Sequence, residues 1–111
     1  MKNEYNSIEK LHEIISGEKG LLAYFYSDRC APCVSLRPKV ETLVSEYFQD
    51  MKMVFVNSEA HPDISAHYGI FANPCILVFF EGHEFRRYSK YISISQLGSD
   101  IQRVYSLLFD N

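Results

Sequence analysis

Short uninterrupted apolar runs alternate along the chain with segments in which apolar residues recur every three or four positions. The apolar runs fall at 21–26, 53–56 and 76–80, and each has the length of a buried strand. A more polar segment at 84–91 follows Glu81-Gly82-His83, which reads as a hairpin turn, and is predicted to be an edge strand. The pattern therefore predicts a sheet of four strands.

The first two periodic segments predict amphipathic helices with recognisable ends. One begins after Ser7, a good capping residue, and ends at Gly17. The other follows Cys33, is predicted to kink at Pro38 and is closed by Gln49-Asp50. The apolar face of this second helix is predicted to comprise Leu36, Val40, Leu43, Val44 and Tyr47.

Two further helices complete the pattern. A short one is predicted to open at His61-Pro62 and to end at Gly69. The last follows a capping box, Ser93-x-x-Gln96. Its buried face is predicted to comprise Leu97, Ile101, Val104 and Leu108. Helices and strands in this order predict an α/β fold in which helices flank a central four-stranded mixed β-sheet. The first two strands are expected to be parallel because a helical crossover separates them.

Length and charge limit the classes of function. The 111 residues predict a single domain that spans 1–111. The net charge is −3 and Arg86-Arg87 is the longest basic run, which argues against a nucleic-acid partner. No apolar stretch approaches the ~20 residues that cross a bilayer, and the N-terminus has no signal-peptide apolar core. We therefore expect a cytoplasmic protein without a membrane partner.

The candidate chemistry lies in Cys30-Ala31-Pro32-Cys33, which joins the first apolar run to the second helix. Unpaired N–H groups and the macrodipole favour an anion at a helix N-terminus, and they lower the pKa of a thiol placed there. Cys30 is therefore predicted to be the thiolate nucleophile, and Cys33 can reach back to close a small disulfide ring. A cysteine count of three, with two in one motif, suits a reducing compartment better than a disulfide scaffold.

The motif and the order of elements resemble the thioredoxin family from about 7 to 109. Phe25-Tyr26-Ser27-x-x-Cys30-Ala31-Pro32-Cys33 is similar to the family's strand end and active site, and Pro38 to its kink proline. A second family signature is matched without a gap by Tyr68-Gly69-Ile70-x-x-Asn73-Pro74-Cys75-Ile76-Leu77-Val78-Phe79-x-x-Gly82. The resemblance implies a cis peptide bond before Pro74, facing the active-site disulfide.

The resemblance also implies an activity, namely reduction of protein disulfides through a reversible Cys30–Cys33 dithiol/disulfide, with roles in electron transport and cell redox homeostasis. Pro32 would stiffen the turn, while Asn73 and Pro74 would shape a substrate groove that also includes Arg29 and Ala31. The expected partners are protein substrates that contain disulfides and a separate reductase as electron donor. Neither a bound cofactor nor a metal is implied, and a monomer is expected.

The chain departs from the family pattern at several places. Arg29 stands where a tryptophan is usual, and Tyr24 stands where the family buries an acid that is thought to help deprotonate the second cysteine. We expect Tyr24 to pack in the core. Lys90-Tyr91 would make the docking surface more polar, and the family's first strand is absent or reduced to 3–6. These changes bear on the choice of substrate and reductase.

Other interpretations remain open at this point. Cys30 and Cys33 could form half of a zinc site, with Cys75 and His61 or His67 as further ligands. Cys75 could simply fill core space, or be a third thiol near the disulfide. The whole chain could be an adaptor or chaperone that binds without turnover, or it could run the same chemistry in reverse as an oxidant or isomerase.

Overall fold

The computed structural model describes residues 3–109, which form helices and strands in the predicted order. The bounds are α1 Ile8–Gly17, β1 Gly20–Tyr26, α2 Ala31–Tyr47, β2 Lys52–Asn57, α3 Pro62–His67, β3 Cys75–Phe80, β4 His83–Ser89 and α4 Ile94–Phe109. The strands form one sheet in the order β2-β1-β3-β4. β1 is parallel to β2, and the other two pairs are antiparallel. The predicted mixed four-stranded sheet with a polar edge strand is thereby confirmed.

The central strand β1 divides the core into two layers. Successive side chains of a strand point to opposite faces. Leu21, Ala23 and Phe25 pack into the core beneath α1 and α3, whereas Leu22 and Tyr24 pack into the core beneath α2 and α4. All five are fully buried. Burial on both faces explains why this strand is apolar without alternation.

The family's first strand is reduced to a single bridge beside β2, within the predicted 3–6. The amide of Tyr5 donates to the carbonyl of Phe55 at 2.9 Å, and the amide of Phe55 donates to the carbonyl of Asn3 at 2.8 Å. Glu4 and Phe55 thus form an isolated parallel pair. This short segment covers part of an edge that would otherwise present unpaired backbone groups.

The predicted turn and cap residues at the helix and hairpin ends are present, with one exception. Glu81 and Gly82 connect β3 to β4, and both have positive φ (52° and 83°), as a two-residue type I′ turn requires. Ser7 Oγ accepts from the amide of Lys10 at 3.0 Å and caps α1. Ser93 Oγ accepts from the amide of Gln96 at 3.2 Å. The reciprocal half of that predicted capping box is wrong, because the Gln96 side chain donates instead to Asp100.

Three predicted boundaries and one residue of a predicted face are also wrong. α2 begins at Ala31, before Cys33, and ends at Tyr47 instead of reaching Gln49-Asp50. Tyr47 is 65% exposed and does not belong to the buried face of this helix. β4 ends at Ser89, because Lys90 has a φ of 62° that no strand residue adopts.

Asp100 was not predicted to be buried, yet it is 5% exposed on α4. Its carboxylate accepts hydrogen bonds at 2.8 Å from the Tyr88 hydroxyl and from the Gln96 side-chain amide. The bond from Tyr88 is the main reason that the pKa of Asp100 is lowered. Stability from this group is therefore fully present above the unfolded pKa of about 3.9 and is lost as pH falls through the lower folded pKa.

Tyr88→Phe is expected to lower the free energy of unfolding by about 1–2 kcal/mol at pH 7, since it removes one hydrogen bond to a charged acceptor. The difference from wild type should shrink as the pH falls below about 4 and through the lowered pKa of folded Asp100, because the protonated carboxyl loses the charge that strengthens this bond. Urea unfolding at pH 7 and pH 3 measures both effects. Tyr105→Phe is the matched control: it removes two long, exposed hydrogen bonds with Asp50, one to its carboxylate and one from its amide, and should cost less than about 0.5 kcal/mol. An equal loss at both pH values for Tyr88→Phe would contradict this account of Asp100.

None of the helices within residues 3–109 combines the length and apolar character needed to cross a membrane.

Candidate active site

The Cys-x-x-Cys motif lies where three loops meet at one end of the sheet. β1 pairs with β2 so that Tyr26 is opposite Asn57, and it pairs with β3 so that Phe25 is opposite Cys75. The loops that follow β1 and β2 and the loop that precedes β3 therefore converge. This convergence brings the motif next to the Asn73-Pro74 segment, as the resemblance implied.

Cys30 is the N-cap residue of α2, and Cys33 lies in the first turn. The amide of Cys33 donates to Cys30 Sγ at 3.2 Å, as backbone donors do to capping oxygens. The two cysteines form a disulfide, with their Cα atoms 5.3 Å apart. When this bond is reduced, the amide and the helix dipole favour a negative charge on Cys30.

Exposure distinguishes the two sulfurs. Cys30 is partly exposed, whereas Cys33 is 2% exposed. Only Cys30 can meet a disulfide of another protein, while Cys33 is placed for attack within the molecule. The geometry thus leaves Cys30 accessible at the rim of the site and Cys33 enclosed beneath it.

The peptide bond between Asn73 and Pro74 is cis, which confirms the expectation. Pro74 is buried, and its carbonyl accepts from the amide of Lys90 at 2.9 Å. Among the residues that the structure describes, none pairs with the backbone amide or carbonyl of Asn73. These two groups remain available to an extended peptide laid beside Cys30.

Tyr24 packs in the core as expected, and it also makes a hydrogen bond that the sequence did not reveal. The side chain is fully buried, and its hydroxyl donates to the carbonyl of Cys33 at 2.7 Å. Burial raises the pKa of Tyr24 to about 12. At neutral pH this group is a fixed donor, so it cannot take the proton of Cys33 as a carboxylate would.

Arg29 forms an exposed ion pair with Glu59, in which both Nε and Nη2 donate to the carboxylate. The bond lowers the pKa of Glu59. Glu59 therefore offsets the positive charge that Arg29 would otherwise exert on its neighbour Cys30. The pair lies at the rim of the site, where water and salt screen it.

Arg29→Ala is expected to change the rate of Cys30 alkylation by less than about threefold at pH 7, because an exposed, neutralised charge has little effect on its neighbours. Glu59→Ala, which leaves Arg29 unpaired, should accelerate alkylation, and added salt should remove that gain. Stopped-flow alkylation of the reduced proteins measures the rates of both variants and the effect of salt. A tenfold loss in Arg29→Ala would mean that the guanidinium does tune the thiolate.

Within residues 3–109, three cavities border the motif, and each includes an exposed apolar side chain. The Asn73 cavity, of about 430 Å³, is lined by Arg29, Asn73 and Phe71 among others, and Phe71 is 91% exposed. The Pro32 cavity, of about 440 Å³, includes Pro32 and Tyr91, which is 98% exposed. Exposed apolar groups gathered around one site are typical of surfaces that bind other proteins.

The third cavity, the Cys33 cavity, has a volume of about 240 Å³ and is lined by Asp28, Cys33, Arg37 and Glu41 together with exposed Val34. Arg37 forms ion pairs with Glu41 at 3.8 Å and with Glu4 at 3.7 Å. The cavity gives the buried cysteine a polar connection to solvent.

Cys75 is 2% exposed and packs on the layer of the core that contains Phe25 and Ile70. Ser89 Oγ lies 3.8 Å from its sulfur, and burial raises the pKa of this thiol. This environment favours the interpretation of Cys75 as a residue that fills core space. Within residues 3–109, no three histidine, cysteine, aspartate or glutamate side chains form a group that could hold a metal ion.

A disulfide at a helix N-terminus, with one accessible and one buried sulfur beside a cis-proline loop, defines a thiol–disulfide exchange site. The comparisons with known proteins agree with this class. The family model described as thioredoxin matches residues 4–103, and the chain belongs to the thioredoxin family.

Two relatives illustrate the match. The chain is 37% identical over 87 residues to the thioredoxin of Mycoplasma genitalium, which covers 78% of this chain and 84% of that relative. It is 32% identical over 106 residues to the mitochondrial thioredoxin-2 of Schizosaccharomyces pombe, which covers 96% and 73% of the two chains. The protein is a thiol–disulfide oxidoreductase with protein-disulfide reductase activity.

Solved structures support the fold. A mutant thioredoxin from Halobacterium salinarum superimposes with a TM-score of 0.80 at 21% identity, over 97% of this chain and 90% of that one. Mitochondrial thioredoxin 3 from Saccharomyces cerevisiae, in its oxidised form, gives a TM-score of 0.80 at 20% identity, over 91% and 93%.

Several residues of the site were missed by the sequence interpretation. They include Glu59, Ser65, Phe71, Arg37 and Glu41. Phe71 carried a usable signal, because it is an aromatic residue in a loop two positions before Asn73. Arg37 and Glu41 carried one as well, because they follow Cys33 by four and eight residues on the same helix. Glu59 and Ser65 carried none, since they reach the site from segments far along the chain.

Proposed function

We propose that Cys30 and Cys33 reduce protein disulfides in two exchange steps. The Cys30 thiolate attacks one sulfur of the substrate disulfide, and the other substrate sulfur leaves as a thiolate that takes a proton from water. Cys33 then loses its proton and attacks Cys30 Sγ, which releases the second substrate sulfur. The substrate gains two electrons and two protons, and the enzyme is left with the Cys30–Cys33 disulfide. The observation that supports these separate roles is the unequal exposure of the two cysteines.

Substrate recognition is assigned to the surface around Cys30. An extended substrate segment pairs with the open backbone of Asn73, with Pro74 fixing the course of that loop. Ala31 and Pro32 are exposed next to Cys30 and bound the groove, with Arg29 at its rim. Apolar substrate side chains would bury surface against Phe71 and Tyr91.

The proton of Cys33 leaves through the Cys33 cavity, since Tyr24 holds its own proton. Asp28 and Glu41 line this cavity and supply carboxylates that water can bridge to the sulfur. Arg37 lines it as well and is itself paired with Glu41 and Glu4. Release of product then depends on solvent entering this cavity.

Within a cell we place the protein in the cytoplasm as a monomer formed by one domain of residues 1–111. A separate reductase supplies its electrons, and no bound cofactor is needed for the two exchange steps. Electron transport of this kind would contribute to cell redox homeostasis. The alternative direction, as an oxidant or isomerase, depends on the reduction potential. Potentials range from about −270 mV for a reducing thioredoxin to about −120 mV for a strong oxidant.

The test is reduction of a protein disulfide, such as those of insulin, with dithiothreitol as electron source. The wild-type protein and Cys75→Ser should both accelerate the reaction catalytically, because Cys75 is buried away from the exchange chemistry. An adaptor would bind without accelerating it. Equilibration of Cys30–Cys33 with a glutathione buffer then gives the potential, and a value near about −120 mV would favour the oxidant.

A further inference from the structure

Arg87 connects the edge strand β4 to the loop that leads from α3 to the active site. Its Nη1 donates to the carbonyl of Gly69 at 3.1 Å, and its Nη2 donates to the carbonyl of Tyr68 at 3.0 Å. The Glu84 carboxylate accepts from Nε at 2.7 Å and from Nη2 at 2.9 Å. One guanidinium thus binds a carboxylate on its own strand and two carbonyls of a loop that lies 18 and 19 residues away in the chain.

The register of the sheet explains how Arg87 reaches this loop. Arg87 is opposite Leu77, and cross-strand partners lie on the same face of a sheet. Leu77 packs in the core beneath α1 and α3, so Arg87 lies on the face that carries α3. Arg86 is opposite Val78, which packs in the other layer, and its guanidinium lies 5.2 Å from the centroid of the Phe85 ring. Of these two adjacent arginines, Arg87 is therefore the one on the side of α3.

The segment 71–73 follows this anchored loop and has no hydrogen bonds of its own to the fold. Among the described residues, no backbone group of 71–73 pairs with another backbone group. The segment contains Asn73, whose backbone we assign to substrate pairing, and Phe71, which is 91% exposed. Its position therefore depends on how the chain is held before and after it.

Both ends of the segment 71–73 are held by the fold, and β4 and the residue after it contribute at each end. At one end, the carbonyl of Pro74 accepts from the amide of Lys90 at 2.9 Å. At the other end, the side chain of Ile70 is buried. The carbonyls at a helix C-terminus lack partners within the helix, and Arg87 binds two of those that follow α3. Arg87 thus fixes the start of the segment.

A guanidinium suits this task better than an ammonium does. Arginine presents five N–H donors in a rigid planar fork, whereas lysine has three donors on a single nitrogen. Glu84 accepts from one edge of the Arg87 fork, which sets its plane and directs the remaining N–H groups to the two carbonyls. Both side chains are exposed, so the ion pair adds little to overall stability. Its main effect is on the local position of the loop.

We propose that Arg87 is a positioning residue for substrate binding. It fixes where the segment 71–73 begins, and it thereby sets the place at which the Asn73 backbone meets an extended substrate. Glu84 acts one step further away, since it orients the guanidinium. This inference rests on the proposed function, which assigns substrate pairing to Asn73, and the exchange chemistry stays with the two cysteines.

The test compares two substrates in single-turnover experiments with the reduced protein. One substrate is a short peptide whose cysteine forms a mixed disulfide with a small thiol, so its backbone can pair with Asn73. The other is bis(2-hydroxyethyl) disulfide, which has no peptide backbone. The dependence of the rate on peptide concentration separates the apparent KM from the limiting rate, and the small disulfide reports the exchange chemistry alone.

Arg87→Lys keeps the positive charge but loses the fork. It should raise the apparent KM for the peptide about 5- to 10-fold and change the limiting rate by less than about twofold. Glu84→Ala leaves the guanidinium without its orienting partner and should raise this KM about two- to threefold. Neither variant should change the rate with the small disulfide by more than about twofold. Arg86→Lys is the matched control on the other face of β4, and it should behave as wild type with both substrates.

An unchanged peptide KM in Arg87→Lys would overturn the inference. An equal loss with both substrates would also overturn it, because Arg87 would then support the exchange site or the whole fold and not the substrate loop. Should Arg87→Lys fail to fold, the peptide KM of Glu84→Ala decides in the same way. Failure of the wild-type protein to reduce either substrate, or insulin, would instead count against the proposed function.

Discussion

Cys33→Ser should lower catalytic turnover by at least about 100-fold and accumulate a mixed disulfide between Cys30 and the substrate. The variant keeps the exposed nucleophile, so the first exchange step proceeds. It lacks the buried sulfur that would attack Cys30 Sγ, so the mixed disulfide persists until an external thiol cleaves it. Non-reducing gels and mass spectrometry of the variant mixed with a protein disulfide measure the trapped species.

Cys30→Ser is the matched control for this experiment. It should lose turnover by a comparable factor but trap nothing, because Cys33 is only 2% exposed and cannot meet a substrate. Trapping at Cys33 in this variant, or no trapping by Cys33→Ser, would contradict the assignment of outer and inner sulfurs.

The second large effect concerns Tyr24, which joins the core to the active-site helix. Tyr24→Ala is expected to lower the free energy of unfolding by about 3–5 kcal/mol, as removal of a buried aromatic side chain does. This is a large part of the roughly 5–15 kcal/mol typical of a small domain. The Tyr24 ring packs edge-on against the Phe55 ring, with the two ring centroids 6.0 Å apart. Its hydroxyl donates a hydrogen bond to the carbonyl of Cys33.

Tyr24→Phe separates packing from hydrogen bonding. It keeps the ring and leaves the carbonyl of Cys33 without this donor, so the loss should be about 1–2 kcal/mol. Urea unfolding of the oxidised proteins measures both variants. Equal stability of Tyr24→Phe and wild type would mean that the 2.7 Å hydrogen bond contributes nothing to the fold.

Much of the fold could be predicted because its signals are local. The buried strands follow from apolar runs, and the hairpin from Glu81-Gly82 between two such runs. Capping by Ser7 likewise depends on neighbours within one turn of helix. The cis bond before Pro74 came from the family signature, since nothing in the local sequence alone requires it.

The wrong or missing predictions fall into two groups. Some concern contacts between residues far apart in the chain, and one concerns a helix start that is marked by a capping residue and not by periodic apolar residues. α2 begins earlier than expected because Cys30 itself caps it, and no periodic apolar residue marks that turn. The burial of Asp100 depends on Tyr88 from the edge strand. The partner of Arg29, Glu59, lies 30 residues further along the chain.

The candidate site divides in the same way. Cys30 and Cys33 were identified from their spacing, whereas the cavities around them were not. The Asn73 cavity exists because the loops after β1 and β2 meet the loop before β3. No sequence pattern within any one of these loops predicts that they lie next to one another.

The central claim is that Cys30 is an activated thiolate, and alkylation by iodoacetamide tests it most directly. In the reduced Cys75→Ser protein at pH 7, we expect position 30 to react at least about threefold faster than a cysteine in an unstructured peptide. Its rate should also reach a plateau at a lower pH than that of the peptide thiol, whose pKa is about 8.5. Alkylation no faster than the peptide, with the same pH midpoint, would contradict the account.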